Sequence, residues 1–324
     1  MTPFPATAST LSAKALGQFA IEKYGLDSES TCTLFRTGIN HTYFITGNNF
    51  KYALRVYSFE WRTKPEIQEE LRLLLLLKEN YISVSYPIPD NKGEFIQEIN
   101  APEGIRYTVL FSFAQGDKVR FMDNNTCRAI GSLMAQLHKI TVNQTINRIE
   151  YNAKTLLDLP YSYAKQFFSV QLPEMQFVKE ISTKIAESFS KANVQHVKKG
   201  VVHLDIWYDN MSITDGNEIT VFDFDFCGNG WQLLDVAYFC KQLFHIETDK
   251  DIYEQKRQSF IDGYVNVNKL SAAEIELIPH AGAAIYIFYL GVQSQRFDWS
   301  NIFLTENYLK MYVGRIKAWT DYHS

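Results

Sequence analysis

The segment from Val201 to Phe226 constrains this chain more than any other part of it. Asp205 and Asn210 lie five residues apart in the sequence HLDIWYDN, and Asp223 and Asp225 follow in VFDFDF. A carboxylate can orient an attacking hydroxyl group, while carboxylate and amide oxygens are ligands that Mg²⁺ accepts. Phosphoryl transfer from ATP needs such a set of side chains.

The sequence VFDFDF alternates acidic and aromatic residues with a period of two. In a strand, this period puts Asp223 and Asp225 on one face and the phenylalanines on the other, toward a core. Two adjacent carboxylates repel each other unless a cation lies near them. A solvated strand face followed by an Asp-rich turn would give the same pattern, but the upstream spacing from Asp205 to Asn210 favours a metal site.

Length and charge limit the other possibilities. A chain of 324 residues is long enough for about two domains, and a net charge of −4 argues against a general nucleic-acid-binding protein. The cysteines are scattered without a CxxC pair, which favours a reduced, cytoplasmic location. The apolar runs Leu73 to Leu77 and Ala281 to Val292 are too short to span a bilayer, so we expect a soluble protein and a buried helix in the second run.

Hydrophobic periodicity predicts a strand-rich first third with one helix, followed by a mostly helical remainder. The predicted strands of the first part are Cys32 to Phe35, Thr42 to Thr46, Lys51 to Tyr57, Glu94 to Ile99 and Arg106 to Phe113, and its helix is Pro65 to Asn80. The second part has predicted helices at Asn125 to Ile140 and Gln166 to Ala192, a strand pair at Met211 to Ile213 and Ile219 to Phe222, and helices from Trp231 onward.

Together with His203, the segment resembles the catalytic and metal-binding loops of the aminoglycoside phosphotransferase/choline kinase family, small-molecule relatives of the protein kinases. The resemblance implies Asp205 as the catalytic base, Asn210 and Asp223 as Mg²⁺ ligands, and Asp225 as an auxiliary metal ligand. It also implies a protein-kinase-like bilobal α+β fold. The β-rich N-terminal nucleotide-binding lobe would cover residues 1–112, and the mostly helical C-terminal catalytic and substrate lobe would cover residues 113–324.

The chain departs from the family pattern inside the catalytic loop. Leu204 stands where the family usually has glycine, and the run from Ile206 to Asp209 replaces a stretch usually rich in His, Pro and Gly. His203, His138 and Asp235 match family positions whose role is structural, and a plain helix N-cap would explain Asp235 equally well.

The resemblance extends to the nucleotide-binding residues of the first part. TGINHTY is similar to the family's phosphate-covering loop, with Gly38, Asn40 and Thr42 near the phosphates, although an ordinary hairpin turn would look the same. Ala53 would face the adenine, and Arg55 would take the place of the usual lysine. The resemblance assigns Glu70 as the acidic partner of Arg55, with Glu66 and Glu69 as alternatives, and backbone groups of Ser112, Phe113 and Ala114 as the hinge that binds the adenine edge.

The implied function is a Mg²⁺-dependent transfer of the γ-phosphoryl group of ATP or GTP to a hydroxyl of a small molecule. Residues 280 to 324 contain only Asp298, Glu306 and Asp321 as acidic residues, which disfavours a polycationic antibiotic, and Arg296 could bind the carboxylate of an amino-acid alcohol such as homoserine. The alternatives are a catalytically silent nucleotide-binding pseudokinase, which Arg55 and Leu204 could support, and a kinase acting on proteins. We expect a monomer or homodimer without nucleic-acid or membrane partners.

Overall fold

A computed structural model describes residues 4–192, 194–295 and 301–324. The chain divides into two compact units, Met1–Ala114 and Gln115–Ser324. Arg296, which the sequence suggested for recognition of an acceptor carboxylate, lies outside the described residues, as does Asp298.

The first unit is built on an antiparallel sheet. The strands are β1 (Thr31–Arg36), β2 (His41–Thr46), β3 (Lys51–Val56), β4 (Pro87–Ile88), β5 (Gln97–Ala101) and β6 (Gly104–Ser112). Their order in the sheet is β1-β2-β3-β6-β4, and β5 also pairs with β6. Tyr43 and Ile45 on β2, together with Leu54 and Val56 on β3, are fully buried at alternate positions, as a sheet with one covered face requires.

Two helices accompany this sheet where the sequence predicted one. The predicted helix is present as α2 (Lys64–Glu79), and Thr63 and Glu66 form a capping box at its start. The helix that was not predicted, α1 (Ala13–Tyr24), begins after an N-cap at Ser12 and ends at Gly25, whose φ of 63° is left-handed. Both end signals were present in the sequence, but the apolar face of α1 is short.

The second unit is mostly helical, with two small two-stranded sheets. At its beginning, Gly116 has a φ of 96°, and a Cβ there would lie 2.4 Å from the carbonyl carbon of Ile213. Its helices are α3 (Asn124–Thr141), α4 (Leu159–Ala164), α5 (Pro173–Lys191), α6 (Leu233–Ile246), α7 (Lys250–Val265), α8 (Ala272–Gln295) and α9 (Glu306–Tyr322). Its strands are β7 (Lys199–Val202), β8 (Met211–Ile213), β9 (Ile219–Val221) and β10 (Gly228–Trp231).

The helix predicted from Gln166 to Ala192 is shorter than expected, because α5 starts only at Pro173. Proline suits the first helical position and lacks the N–H that a helix interior needs. The apolar helix α8 confirms the buried helix that the sequence predicted. It is long and apolar enough to cross a membrane, but 72% of its apolar window is buried inside the structure, as in the core helix of a soluble protein.

Candidate active site

The loop between β7 and β8 carries His203, Asp205 and Asn210. The Nε2 atom of His203 lies 3.1 Å from the carbonyl oxygen of Phe222, and its Nδ1 accepts the backbone N–H of Asp205 at 3.1 Å. Since a carbonyl can only accept, Nε2 carries the proton and the ring is neutral. Burial lowers the pKa of His203, in agreement with this neutral state. The histidine therefore braces the loop, as the family resemblance implied.

Asp205 is held by hydrogen bonds on both carboxylate oxygens. Asn210 Nδ2 donates to Oδ2 at 2.7 Å, and the hydroxyl of Tyr238 donates to Oδ1. Burial raises the pKa of Asp205 to about 7; the nearby charge of Asp223 adds to this rise, and the hydrogen bonds from Tyr238, Tyr289 and Asn210 oppose it. The carboxylate is thus fixed in orientation by donors from both the loop and the helical core.

The amide of Asn210 points its nitrogen at Asp205 and leaves its oxygen as an acceptor. Nδ2 donates to both the side chain and the backbone carbonyl of Asp205, at 2.7 and 3.1 Å. The backbone carbonyl of Asn210 also accepts the backbone N–H of Phe222 at 3.0 Å, which ties this loop to the segment that carries Asp223.

The expected strand through VFDFDF is wrong. Strand β9 ends at Val221, Asp223 has a left-handed φ of 64°, and Phe224–Phe226 form a 3₁₀ turn. Asp223 is partly exposed, whereas Asp225 is only 2% exposed and its backbone carbonyl accepts a hydrogen bond from Arg148. Aspartate tolerates the left-handed conformation better than most residues, so the turn is compatible with this sequence. The same-face argument for the two carboxylates therefore does not hold.

The donor set around Asp205 fits a divalent cation. Asp223 is close enough to Asp205 for its charge to raise the pKa of the Asp205 carboxyl group. A cation bound nearby would remove this repulsion. Within residues 4–192, 194–295 and 301–324, no three His, Cys, Asp or Glu side chains are grouped as metal ligands. A metal here would therefore use the amide oxygen of Asn210 with Asp223, and Mg²⁺ usually keeps water and phosphate oxygens as its other ligands.

Asp235, in the first turn of α6, holds the catalytic loop through two hydrogen bonds from the loop backbone. Its Oδ2 accepts the backbone N–H of His203 at 2.8 Å, and its Oδ1 accepts that of Leu204 at 2.6 Å. His138 on α3 bonds the same carboxylate at 3.0 Å and the hydroxyl of Tyr264 at 2.8 Å. The structural roles predicted for His138 and Asp235 are confirmed, and Gln232, not Asp235, is the N-cap of α6.

In the first unit, Arg55 and Glu70 form the ion pair that the sequence predicted. Arg55 lies in β3 and Glu70 in α2, and their Nη1 and Oε1 atoms are 2.8 Å apart, with the Glu70 side chain fully buried. Tyr57 donates to the other carboxylate oxygen at 3.1 Å. The guanidinium also stacks over the ring of Phe111, with 5.0 Å from Cζ to the ring centroid. An arginine in this place is therefore oriented by both its partner and its neighbours.

The loop that carries Gly38 and Asn40 connects β1 and β2, and Thr42 lies opposite Arg55 in the β2–β3 register. The side-chain oxygen of Asn40 accepts the backbone N–H of Ser58 at 3.2 Å, and the Ser58 hydroxyl donates to the carbonyl of Ile39. These bonds hold the loop to the segment after β3. The side-chain oxygen of Asn40 thus already has a structural partner.

The candidate hinge follows Phe111 at the end of β6. Ala53, on β3, pairs with Phe111. The Ser112 N–H donates to the carbonyl of Tyr86 at 2.8 Å, and the Ser112 hydroxyl accepts the backbone N–H of Tyr86 at 3.0 Å. Because the Ser112 amide is already bonded, the backbone donors left for an adenine edge are those of Phe113 and Ala114.

Three functional candidates near Asp205 were not found from the sequence. Tyr238 and Lys241 lie on α6, and Tyr289, on α8, donates to the carbonyl of Leu204 at 3.1 Å. A signal did exist, because Asp235, Tyr238 and Lys241 recur every three residues on a largely apolar helix and so share one face. The period alone does not show that this face points at Asp205.

Comparison with known proteins identifies the family of this chain. A family profile described as "Phosphotransferase enzyme family" matches residues 31–270. The chain belongs to this family. Membership confirms the resemblance drawn from the sequence and the expected enzyme class, a small-molecule phosphotransferase with a hydroxyl acceptor.

Individual relatives are distant but cover nearly the whole chain. A homoserine kinase of Agrobacterium fabrum is 25% identical over 283 residues, or 86% of this chain and 84% of that protein. The structure of a microcompartment-associated aminopropanol kinase has a TM-score of 0.77 at 19% identity and covers 95% of both chains. Amicoumacin kinase hAmiN, solved with AMP-PNP and Ca²⁺, has a TM-score of 0.76 at 20% identity and covers 96% of this chain and 94% of its own. These likenesses confirm the predicted α+β fold of small-molecule kinases.

Proposed function

We propose that this phosphotransferase is a Mg²⁺-dependent kinase that moves the γ-phosphoryl group of ATP or GTP to a hydroxyl of a small molecule. The observation that carries the proposal is the hydrogen bond from Asn210 to Asp205, with Asp223 beside them. It fixes a carboxylate next to an amide oxygen and a second carboxylate, the combination that phosphoryl transfer needs.

In the proposed reaction, Asp205 orients the acceptor hydroxyl and takes its proton. The hydroxyl oxygen forms a bond to the γ-phosphorus, the bond from that phosphorus to the bridging oxygen breaks, and ADP or GDP leaves. Tyr238 and Asn210 fix the two oxygens of Asp205, so the carboxylate loses little freedom when the hydroxyl approaches.

Asn210 and Asp223 are the proposed Mg²⁺ ligands, with Asp225 as an auxiliary. Bound Mg²⁺ would neutralise charge on the phosphate oxygens. In the first unit, Arg55 is the proposed cation for the α- and β-phosphates, held by Glu70. The other proposed nucleotide contacts are the loop residues Gly38, Asn40 and Thr42, the adenine-facing Ala53, and the backbone of the hinge segment Ser112, Phe113 and Ala114.

The proposed acceptor is an amino-acid alcohol such as homoserine, supported by the homoserine kinase among the relatives. We also propose a cytoplasmic location, which the four free cysteines support. The bonded set of Asp205 and Asn210 argues against a silent nucleotide-binding module.

The direct test is nucleoside diphosphate release with Mg²⁺ and either ATP or GTP across a panel of small alcohols. Asp205→Asn should lower kcat for the best acceptor by about 10²- to 10⁴-fold, the usual contribution of a positioned base. Asp209→Asn is the matched control, because this loop carboxylate pairs instead with Lys118 at 2.6 Å. If Asp205→Asn kept wild-type turnover, the proposed mechanism would be wrong.

Nucleotide and metal binding are tested separately by thermal unfolding. ADP with Mg²⁺ should raise the Tm of the wild type more than ADP with EDTA, because a ligand that binds only the folded state stabilises it. Asp223→Asn should lose the Mg²⁺-dependent part of this rise, while Asp209→Asn should keep it. No rise with any nucleotide, and no diphosphate release, would refute the proposal.

A further inference from the structure

Lys241, on α6, is a buried cation close to the candidate base. It is 3% exposed, and its ammonium lies over three tyrosine rings, with 4.6 Å from Nζ to the Tyr238 centroid, 4.4 Å to that of Tyr286 and 5.7 Å to that of Tyr289. These three rings are called the tyrosine cage below. Tyr238 links the cage to the candidate active site, because its hydroxyl donates to Asp205 while its ring faces Lys241.

The ammonium of Lys241 has no hydrogen-bond acceptor or carboxylate within ion-pair distance among the residues that the structure describes. Lys250 is a useful comparison, because its ammonium contacts an aromatic ring and also has hydrogen-bond acceptors. It lies 3.6 Å from the ring centroid of Phe244 and also donates to the carbonyls of Phe244 and Glu247, both at 2.8 Å. A buried ammonium without such partners costs several kcal/mol, which cation–π contacts offset only in part.

Tyr286 provides a second donor without a partner in the same place. Its side chain is 3% exposed, and its buried hydroxyl has no hydrogen-bond partner in the described part of the chain. A buried polar group in this state destabilises the fold until a partner satisfies it. Two buried donors thus belong to the cage, the ammonium of Lys241 and the hydroxyl of Tyr286, and an oxygen anion in contact with both would satisfy them.

The charges around the cage are positive apart from Asp205. Burial lowers the pKa of Lys241 to about 7; the charge of Asp205 opposes this fall, and the charge of Arg315, on α9, adds to it. Burial lowers the pKa of His245 to about 4, and Arg315 and Lys241 add to that shift. Within the described ranges, Arg315 has no carboxylate partner either. The environment therefore favours an incoming anion.

We propose that Lys241 and Tyr286, with Arg315 nearby, bind a carboxylate of the acceptor, so that the acceptor is a short hydroxy acid. The proposal rests on the proposed kinase function and adds to it the residues that would bind the acceptor's carboxylate. A carboxylate has two oxygens for the two buried donors, whereas a phosphate would bring a third oxygen that needs further donors. Its hydroxyl end would then lie toward Asp205, on the far side of Tyr238.

The test compares amino-acid alcohols with the same molecules lacking only the carboxylate. The pairs are L-homoserine with 3-amino-1-propanol, L-threonine with 1-amino-2-propanol, and L-serine with ethanolamine. For at least one pair, kcat/KM of the wild type should be about tenfold or more higher for the acid, since one charge-assisted contact is worth that much. The buried cation should also disfavour the amino alcohols that lack the carboxylate, because their net charge is positive whereas the amino acids are zwitterions.

Variants assign the preference to the cage. Lys241→Met should raise KM for the preferred acid about tenfold or more with a smaller change in kcat, and should remove the preference within the pair. Tyr286→Phe should have the same direction with a smaller size, because it removes one hydroxyl and keeps the ring. Lys250→Met, the matched control on α7, should keep the preference of the wild type. Thermal unfolding confirms that each variant folds.

The outcomes separate this inference from the kinase proposal. ADP release that is best with an amine, or a preference that survives Lys241→Met, would overturn the carboxylate site and leave the kinase function standing. Preference for glycerol 3-phosphate over every hydroxy acid would overturn the choice of carboxylate. If no alcohol gives ADP release, the kinase proposal fails; a rise in Tm with L-homoserine that Lys241→Met abolishes would still support the binding site, and no rise would refute it.

Discussion

Leu204 has a backbone conformation that leucine rarely adopts. Its φ is 60°, in the left-handed region, and its side chain is completely buried. The conformation directs the successive N–H groups of His203 and Leu204 at the single carboxylate of Asp235. Paired backbone donors of this kind form an anion-binding nest, and its hydrogen bonds offset the strain of about 1–2 kcal/mol that a left-handed residue carries.

This strain predicts an unusual order of stability at position 204. Leu204→Ala should lose about 2–5 kcal/mol, because it empties a buried site but keeps a Cβ in the left-handed conformation. Leu204→Gly loses the same packing and relieves the strain, so it should be about 0.5–1 kcal/mol more stable than the alanine variant. Urea unfolding measures both. At an ordinary buried helical position, glycine would be the less stable of the two, and finding that order here would contradict the account.

At the same scale, some site residues could be identified from the sequence and others could not. Asp205 and Asn210 lie in one loop, so their spacing in the chain limits their spacing in the fold. Lys241 and Tyr286 meet only because α6 packs on α8, and no local pattern encodes that contact. The acidic partner Glu70 is intermediate, since the family resemblance selected it from three glutamates of one helix and the packing of α2 brings it to Arg55.

At the scale of elements, the catalytic loop depends on the start of α6. Asp235 accepts two backbone donors from the loop and is bonded to His138 of α3, so one carboxylate joins three segments. Its side chain is fully buried. The position of the loop is therefore set by helix packing as well as by its own sequence.

Asp235→Asn tests this dependence without changing the size of the side chain. An amide nitrogen would face at least one of the backbone or imidazole donors, so the free energy of unfolding should fall by about 2–4 kcal/mol. Asp262→Asn is a suitable control, because its carboxylate is 38% exposed and pairs with Arg128 at the surface of α3 and α7; it should cost less than about 1 kcal/mol. Equal losses in the two variants would show that Asp235 does not hold the loop.

Helices and strands were predictable where the conformation that the local sequence pattern favours is also the one that the backbone adopts in the fold. The regular spacing of apolar residues after Pro65 located α2 correctly, and the structure adds a capping box at Thr63 and Glu66. The alternation in VFDFDF predicted a strand and failed, because Asp223 turns the backbone into the left-handed region directly after β9. A period of two describes a strand only while the backbone stays extended, and aspartate is one of the residues that allow it to leave that conformation.

For the whole molecule, the net charge of −4 conceals a local field of opposite sign. Lys241 and Arg315 come from helices far apart in the chain, and both influence His245. Composition argues against a general nucleic-acid-binding protein, but it could not reveal a small buried group of cationic side chains. This group forms only where α6, α8 and α9 pack together.

Global stability should respond to pH through Lys241. Burial lowers its pKa to about 7, whereas an unfolded lysine titrates near its ordinary value, so between these values the unfolded state binds one proton more than the folded state. Stability of the wild type should therefore rise with pH across this window, by up to about 1.4 kcal/mol per pH unit relative to Lys241→Met. The cost of the buried charge is fully present below pH 7.

The measurement is urea unfolding of wild type and Lys241→Met between pH 7.5 and 9.5. Asp205, whose pKa is about 7, is mostly ionised in this range and becomes fully so toward its upper end, and the raised pKa values of Tyr238, Tyr286 and Tyr289 keep the cage neutral. The methionine variant should be the more stable protein at the low end, and its advantage should shrink as the pH rises. A difference that stays constant with pH would mean that the ammonium is not desolvated, which would also remove the reason for an anion to bind there.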